Sequence, residues 1–86
     1  MTVTLTAEAK KDLKKFDKPV RKRIIRYLEE VSKLKNPRSR GKALIGNLMG
    51  MWRYRVGDYR ILCKIKDGEL IILVLEVGHR KNIYDK

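Results

Sequence analysis

Residues 52–84 constrain the fold most strongly, because they contain three β-prone runs separated by two short turn signals. The turn signals are Gly57-Asp58 and Asp67-Gly68. Glycine tolerates positive φ and aspartate can hydrogen-bond its own backbone, so each pair suits a two-residue loop between antiparallel strands. The segment therefore predicts three successive strands joined by two tight hairpins.

A two-residue loop at Gly57-Asp58 sets the register of the first hairpin, in which Val56 faces Tyr59 and Arg55 faces Arg60. Side chains alternate between the two faces of a strand. One face is then expected to carry Trp52, Tyr54, Ile61 and Cys63. The other is expected to be mainly cationic and to carry Arg53, Arg55, Arg60, Lys64 and Leu62.

The facing arginines have two interpretations. Like charges directly opposite each other cost roughly 0.2 to 1 kcal/mol in a sheet, and such a violation of local preference often marks a functional site. Alternatively, the cationic residues form an ordinary solvated outer face, since charged side chains are mostly exposed.

The residues before this segment predict a strand and two helices. Residues 3–6 are a short β-prone run, and Thr6 is a suitable N-cap for a helix from 7 to about 16. Asp17 and Pro19 favour the start of a second amphipathic helix, which Asn36-Pro37 ends. We expect the helices to pair over one face of the sheet. The predicted class is α+β, with an N-terminal strand and a helical hairpin packed on a small, mainly antiparallel sheet.

Two further segments complete the predicted organisation. Residues 38–50 are a basic, glycine-punctuated connection that Leu44 and Leu48 are expected to anchor to the core. Residues 70–75 are apolar without interruption, which is typical of a central strand covered on both faces. Eighty-six residues suffice for a single domain, so we expect one domain over 1–86.

Charge is the strongest global indication of function. There are 22 Lys and Arg residues against 10 Asp and Glu, a formal net charge of +12. Residues 31–57 contain no acidic residue at all. A positive field of this kind favours a polyanionic partner, either nucleic acid or an acidic protein segment.

Several classes of protein are not indicated. We find no phosphate-loop, dinucleotide or zinc-protease signature and only one histidine, so we expect no cofactor and no metal. A single cysteine, Cys63, excludes an internal disulfide, which fits a reducing, cytoplasmic location. No apolar run approaches 18 residues, so we expect no membrane segment.

The functional side chains that remain suit metal-free cleavage of RNA by its own 2′-hydroxyl. Arginine guanidiniums can stabilise the charge on a pentacoordinate phosphate, while other groups move two protons and an aromatic ring holds an unstacked base. The residues that could divide these tasks are Arg60, His79, Arg80 and Tyr84.

Residues 52–62 and 77–84 resemble the RelE/ParE toxin superfamily of type II toxin–antitoxin systems, and the helices and basic connection also follow the order of that superfamily. The resemblance implies a RelE-like fold and, in the RelE branch, a toxin that cuts messenger RNA in the ribosomal A site. It implies that Arg60 stabilises the scissile phosphate, that Arg80 serves the leaving oxygen and that Tyr84 stacks on a base.

Where the best-known member of that branch has lysines, this chain has Arg53 and Arg55. Arginine is a poor base, so the resemblance implies an electrostatic clamp for Arg55. His79 becomes a candidate base, because histidine is the side chain that ordinarily titrates near neutrality, although a structural role is the alternative. We expect RNA or ribosome contacts from six other basic residues, namely Arg38, Arg40, Lys42, Arg53, Lys64 and Lys81.

The resemblance also implies partners: an acidic RelB-like antitoxin, the 70S ribosome with its messenger, and operator DNA for the toxin–antitoxin complex. Two other functions remain open. One is a ParE-type poison of DNA gyrase, and the other is a non-toxic antitoxin-binding co-repressor.

Overall fold

The structure, a computed structural model, describes residues 1–79. Arg80, Lys81 and Tyr84, to which the sequence assigns roles, lie outside the described residues. The main elements, in chain order, are β1 (Thr2–Leu5), α1 (Ala7–Lys14), α2 (Lys18–Ser32), β2 (Lys42–Ala43), β3 (Trp52–Val56), β4 (Tyr59–Lys66) and β5 (Ile71–His79). Single turns of 3₁₀ helix lie at Pro37–Ser39, Gly46–Leu48 and Asp67–Glu69.

The strands form one five-stranded sheet in the order β1-β5-β4-β3-β2. The edge strand β1 runs parallel to β5, and every other neighbouring pair is antiparallel. Both helices lie against the same face of this sheet, α1 on β5 and α2 on β1 and β3. The predicted α+β class is therefore confirmed.

Thr6 and Asp17 begin the two helices, as the sequence predicts. The Thr6 hydroxyl accepts a hydrogen bond from the Ala9 amide at 3.1 Å and donates one to the Leu75 carbonyl at 2.9 Å. Asp17 occupies the N-cap of α2 without a side-chain capping bond. One threonine hydroxyl thus satisfies a free helix amide and ties α1 to β5.

The core lies between the helices and the sheet, because each helix buries one stripe of apolar residues and the strands bury alternate ones. Cys63 is fully buried there. The buried apolar residues are Ala9, Leu13, Ile24, Leu28, Val31, Tyr54, Val56, Ile61, Cys63, Ile72, Val74 and Val77.

The register predicted for the first hairpin is confirmed, with Val56 opposite Tyr59 and Arg55 opposite Arg60. Gly57 has a φ of 58°, and no other residue of the two-residue loop has a positive φ. Positive φ at the first central position is what a type II′ turn requires, and this turn matches the twist of the strands.

The two-residue loop predicted at Asp67-Gly68 is wrong. Lys66 faces Ile71, and the four residues between them form a 3₁₀ turn followed by Leu70. Leu70 has φ 56° and ψ 43°, the left-handed region that leucine rarely enters. The chain accepts this conformation because it lets Ile72 and Val74 enter the core opposite Ile65 and Cys63.

A β-bulge in β5 changes which side chains face the helices. Leu62 faces Glu76 while Cys63 faces Val74, so Leu75 is the additional residue. After the bulge Val77 enters the core and Glu76 turns to the open face. The expectation of a strand covered on both faces is also wrong, since Ile72 and Val74 are buried but Leu73 and Leu75 are only half-buried.

Candidate nucleic-acid interface

The face of the sheet opposite the helices, hereafter the open face, presents its cations in two rows that cross the strands. One row runs from β2 to β5 and contains Lys42, Arg53, Leu62 and Glu76. The next row contains Arg55, Arg60 and Gly78. Lys64 lies on the same face, opposite Leu73, and is exposed. The tertiary structure thus brings Lys42, from a distant segment, beside Arg53.

Arg60 is 8% exposed although it lies on the open face. The connection between α2 and β3 lies over this part of the sheet. Arg60 contributes to a cavity of about 200 Å³, hereafter the arginine pocket, lined by Leu44, Asn47, Leu48, Arg53, Arg60, Leu62 and Glu76. Leu44 and Leu48 therefore roof this pocket, and they are not among the residues that form the core between helices and sheet.

Two further polar depressions adjoin the arginine pocket. One, of about 90 Å³, is lined by Arg55, Gly57, Asp58 and Arg60. The other, of about 300 Å³, is lined by Tyr27, Gly41, Lys42, Arg53 and Arg55. Because neighbouring depressions share their arginines, the open face presents one continuous cationic surface.

The connection over the pocket is held by hydrogen bonds from aromatic side chains. The buried Tyr54 hydroxyl donates to the Pro37 carbonyl at 2.7 Å, and the Trp52 indole donates to the Arg40 carbonyl at 2.8 Å. Gly41 follows Arg40 in the connection and has a φ of 84°. A Cβ at this position would stand 2.5 Å from the Arg53 carbonyl oxygen and from the Trp52 indole nitrogen. Glycine is therefore required at this close approach.

Arg38 and Arg40, expected to contact RNA or the ribosome, both form intramolecular ion pairs. Arg38 donates two 2.9 Å bonds to the Asp67 carboxylate, and this hydrogen bonding lowers the pKa of Asp67 and raises that of Arg38. Arg40 lies 3.3 Å from a Glu30 oxygen and over the Tyr27 ring. These contacts give both arginines a role in fastening the connection, so their binding roles stay predictions.

His79 is not brought to the face that carries Arg60. It lies opposite Tyr59 in the sheet, and its ring meets the Tyr59 ring edge-on with centroids 5.4 Å apart. Tyr59 in turn contacts Phe16 at 4.9 Å on the helical side. This placement favours a structural role in an aromatic cluster over the candidate role of base.

Glu76 and Asn47 are pocket residues that the sequence reasoning missed. Uninterrupted alternation from Ile72 and Val74 would have pointed Glu76 towards the helices, and only the bulge reverses it. Asn47 reaches the pocket because the Gly46–Leu48 turn folds over the sheet. In the sequence itself, neither residue carries a signal for this position.

The described residues also bear on metal binding and on membrane insertion. Within residues 1–79, no group of three or more His, Cys, Asp or Glu side chains is close enough to hold a metal ion. Neither α1 nor α2 is long and apolar enough to cross a membrane.

A mixed sheet with helices on one face and an arginine-lined pocket on the other defines a small α+β protein suited to binding a polyanion. Comparison with known proteins identifies the family. Residues 3–84 match the family described as ParE toxin of type II toxin–antitoxin system, parDE, so the chain belongs to that family. It is thus a type II toxin–antitoxin toxin of the RelE/ParE superfamily, as the sequence predicts.

Relatives of known sequence or structure agree with this assignment. The chain is 32% identical over 84 residues to toxin RelG of Mycobacterium tuberculosis, covering 96% of this chain and 94% of RelG. It is 30% identical to a chain of the toxin–antitoxin complex RelBE2 from the same organism, covering 94% and 92% of the two chains with a TM-score of 0.84. The isolated Escherichia coli RelE toxin shares the fold, with a TM-score of 0.72, 18% identity and coverage of 91% and 82%.

Proposed function

We propose that this toxin is a ribosome-dependent, metal-independent endoribonuclease that cuts messenger RNA in the A site and is neutralised by an acidic RelB-like antitoxin. The messenger's own 2′-hydroxyl attacks the adjacent phosphorus and the bond to the 5′-oxygen breaks. The products are a 2′,3′-cyclic phosphate and a free 5′-hydroxyl. The 2′-hydroxyl loses a proton and the leaving oxygen gains one, so the charges balance.

The burial of Arg60 between two other arginines is the observation that carries this proposal. An enclosed guanidinium is held in one orientation and is poorly screened by water, so it stabilises a developing negative charge more strongly than an exposed one. Arginine also offers paired N–H donors that match phosphate oxygens. Arg60 is therefore assigned to the scissile phosphate.

The other site residues receive their roles either from their place beside Arg60 or from the resemblance to the superfamily. Arg53, Arg55 and Lys42 clamp the neighbouring phosphates, because they line the depressions next to Arg60. Arg80 and Tyr84 keep the roles implied by the resemblance, at the leaving oxygen and on a base. Lys64 and Lys81 add to the attraction for RNA.

An antitoxin is expected because the relative with the higher structural similarity comes from a toxin–antitoxin complex. The net charge of +12 favours an acidic partner. Such a partner, lying over the open face, would cover the arginine pocket and so block the messenger.

The test adds purified protein to translating ribosomes and maps the new 5′ ends of the messenger. Arg60→Ala should lower the cleavage rate by about 100-fold or more, as expected when one donor to a transition-state oxyanion is removed. Arg26→Ala is the matched control, because Arg26 is exposed on the helical side, and it should cleave normally. Circular dichroism shows whether each variant is folded. Full cleavage by folded Arg60→Ala would reject the assignment.

A gyrase poison is the second candidate, because the matching family carries the ParE description. A supercoiling assay separates the two functions. Inhibited gyrase with intact messenger would replace the nuclease proposal. Harmless overexpression without any antitoxin would instead favour a co-repressor that has lost toxicity.

A further inference from the structure

Gly78 is the residue of β5 that lies opposite Arg60, so β5 contributes no side chain beside the guanidinium on the open face. The bulge decides this placement. Without it the two strands would continue the register set before it, and Val77 would lie opposite Arg60 with its isopropyl group on the open face. Glycine inside a strand often marks a place where a ligand or another backbone approaches closely. The bulge therefore opens space next to the arginine that is assigned to the scissile phosphate.

The same two features weaken β5 beside Arg60. A bulge interrupts the pairing of the strands, and glycine has more backbone freedom to lose than any other residue. The edge strand β1 does not run alongside this part of β5, because it ends at Leu5, which pairs with Val74. The end of β5 therefore needs another restraint if Gly78 is to stay fixed beside Arg60.

Asp12 of α1 supplies such a restraint from the helical side of the sheet. Its carboxylate Oδ2 accepts a hydrogen bond from the Val77 amide at 3.0 Å, and this bond is partly buried. Val77 directly precedes Gly78 and faces Ile61, the residue that follows Arg60 in β4. One hydrogen bond thus fixes the backbone on both sides of the arginine, although Asp12 lies on a helix that packs against the opposite face.

We infer that Asp12 is a positioning residue for the arginine pocket: by fixing the Val77 amide it holds Gly78 and, across the sheet, Arg60 in the geometry that a phosphate requires. The inference rests on the proposed function in one respect, namely that the ligand is a phosphodiester that is cleaved. Asp12 touches neither the messenger nor the reacting atoms. Its effect should appear in the maximal cleavage rate, because a misplacement of about 1 Å at a reacting group can cost roughly 100-fold in rate.

The first test measures messenger cleavage over a range of ribosome concentrations, at a temperature where circular dichroism shows each variant to be folded. Asp12→Ala should lower the maximal rate by about tenfold or more and leave the half-saturating ribosome concentration unchanged. Asp12→Asn keeps a carbonyl oxygen that can accept from the Val77 amide, so it should restore most of the rate. Glu8→Ala removes an exposed carboxylate from the same helix and should cleave as wild type does.

Val31→Ala separates positioning from stability. Val31 is a fully buried residue of α2, so its truncation should destabilise the fold without touching the bulge. The folded variant should cleave at the wild-type rate. Wild-type cleavage by folded Asp12→Ala, equal losses in Asp12→Ala and Val31→Ala, or no recovery in Asp12→Asn would each overturn the inference.

NMR spectroscopy of isotope-labelled protein tests the positioning role without any cleavage. The side-chain Nε–H signal of Arg60 should shift or broaden in Asp12→Ala and stay in place in Val31→Ala. If wild-type protein leaves the messenger intact, the proposed function fails, and a changed Arg60 signal in Asp12→Ala alone would still support the positioning role. An Arg60 signal that is unchanged in Asp12→Ala would reject it, whether or not the wild-type protein cuts RNA.

Discussion

The backbone N–H of Val77 donates a hydrogen bond to the Asp12 carboxylate at 3.0 Å, which joins α1 to β5 just after the bulge. A bulge leaves amides without partners in the sheet, and here a helix side chain supplies the acceptor. The Thr6 hydroxyl donates a hydrogen bond to the carbonyl of Leu75, the additional residue of the bulge. Helix α1 therefore stabilises the irregularity that turns Glu76 to the open face.

Asp12→Ala should lower the free energy of unfolding by about 1 to 3 kcal/mol, because it leaves the Val77 amide without its acceptor. Urea denaturation measures the loss, and faster hydrogen exchange of the Val77 amide would locate it. Lys11→Ala, on the exposed side of the same helix, should change stability by less than about 0.5 kcal/mol. Equal effects of the two substitutions would contradict the role given to Asp12.

Gly41→Ala should destabilise the protein more than Gly46→Ala. Both glycines have positive φ, 84° and 68°, so each substitution has a backbone cost of about 1 to 2 kcal/mol. A Cβ at residue 41 would also collide with the Arg53 carbonyl oxygen, whereas nothing lies within 4 Å of one at residue 46. We expect an additional loss of about 1 to 3 kcal/mol for Gly41→Ala in urea denaturation. Identical unfolding midpoints would show that the connection can move away at no cost.

Stability should fall as the pH rises above about 8.5, the ordinary pKa of a thiol. Burial raises the pKa of Cys63 to about 12 and also raises the pKa of Tyr54. In this range the unfolded chain loses the thiol proton while the folded chain keeps it, so the contribution of Cys63 falls by up to about 1.4 kcal/mol per pH unit. Urea denaturation between pH 7 and 10 (roughly the range below the folded pKa) should show a shallower decline in Cys63→Ala. The same slope in both proteins would refute this.

The ion pair between Arg38 and Asp67 should respond to acid. Hydrogen bonding by Arg38 lowers the pKa of Asp67, so the stabilisation is fully present above the ordinary carboxyl pKa of about 3.9 and is lost as the pH falls through the lowered value. Carboxyl NMR titration should show the Asp67 midpoint rising in Arg38→Ala. Arg40→Ala removes the neighbouring pair with Glu30 and should leave that midpoint unchanged. A shift of the same size in both variants would mean that the overall positive charge of the protein, and not the bond from Arg38, lowers the pKa of Asp67.

Local signals predicted much of the fold. Thr6 caps α1, and Gly57-Asp58 sets the register of β3 and β4, because both act through backbone groups within a few residues. The turn after Lys66 was not predictable in the same way. Its length depends on bringing Ile72 and Val74 into a core formed by distant helices, and that requirement outweighs the strain at Leu70.

The amino-acid sequence by itself determined the order of β1, the two helices and β3 to β5, the cationic face that carries Arg53, Arg55 and Arg60, and the superfamily; it did not predict the short strand β2. The first two follow from periodicity and turn chemistry, which are properties of short stretches of chain. The superfamily follows from the resemblance carried by residues 52–62 and 77–84. Only the tertiary structure decided that Arg60 is enclosed, that Glu76 joins it and that His79 lies on the opposite face. Those outcomes depend on a one-residue bulge and on a connection folded over the sheet, and a single added residue reverses every later side chain of a strand.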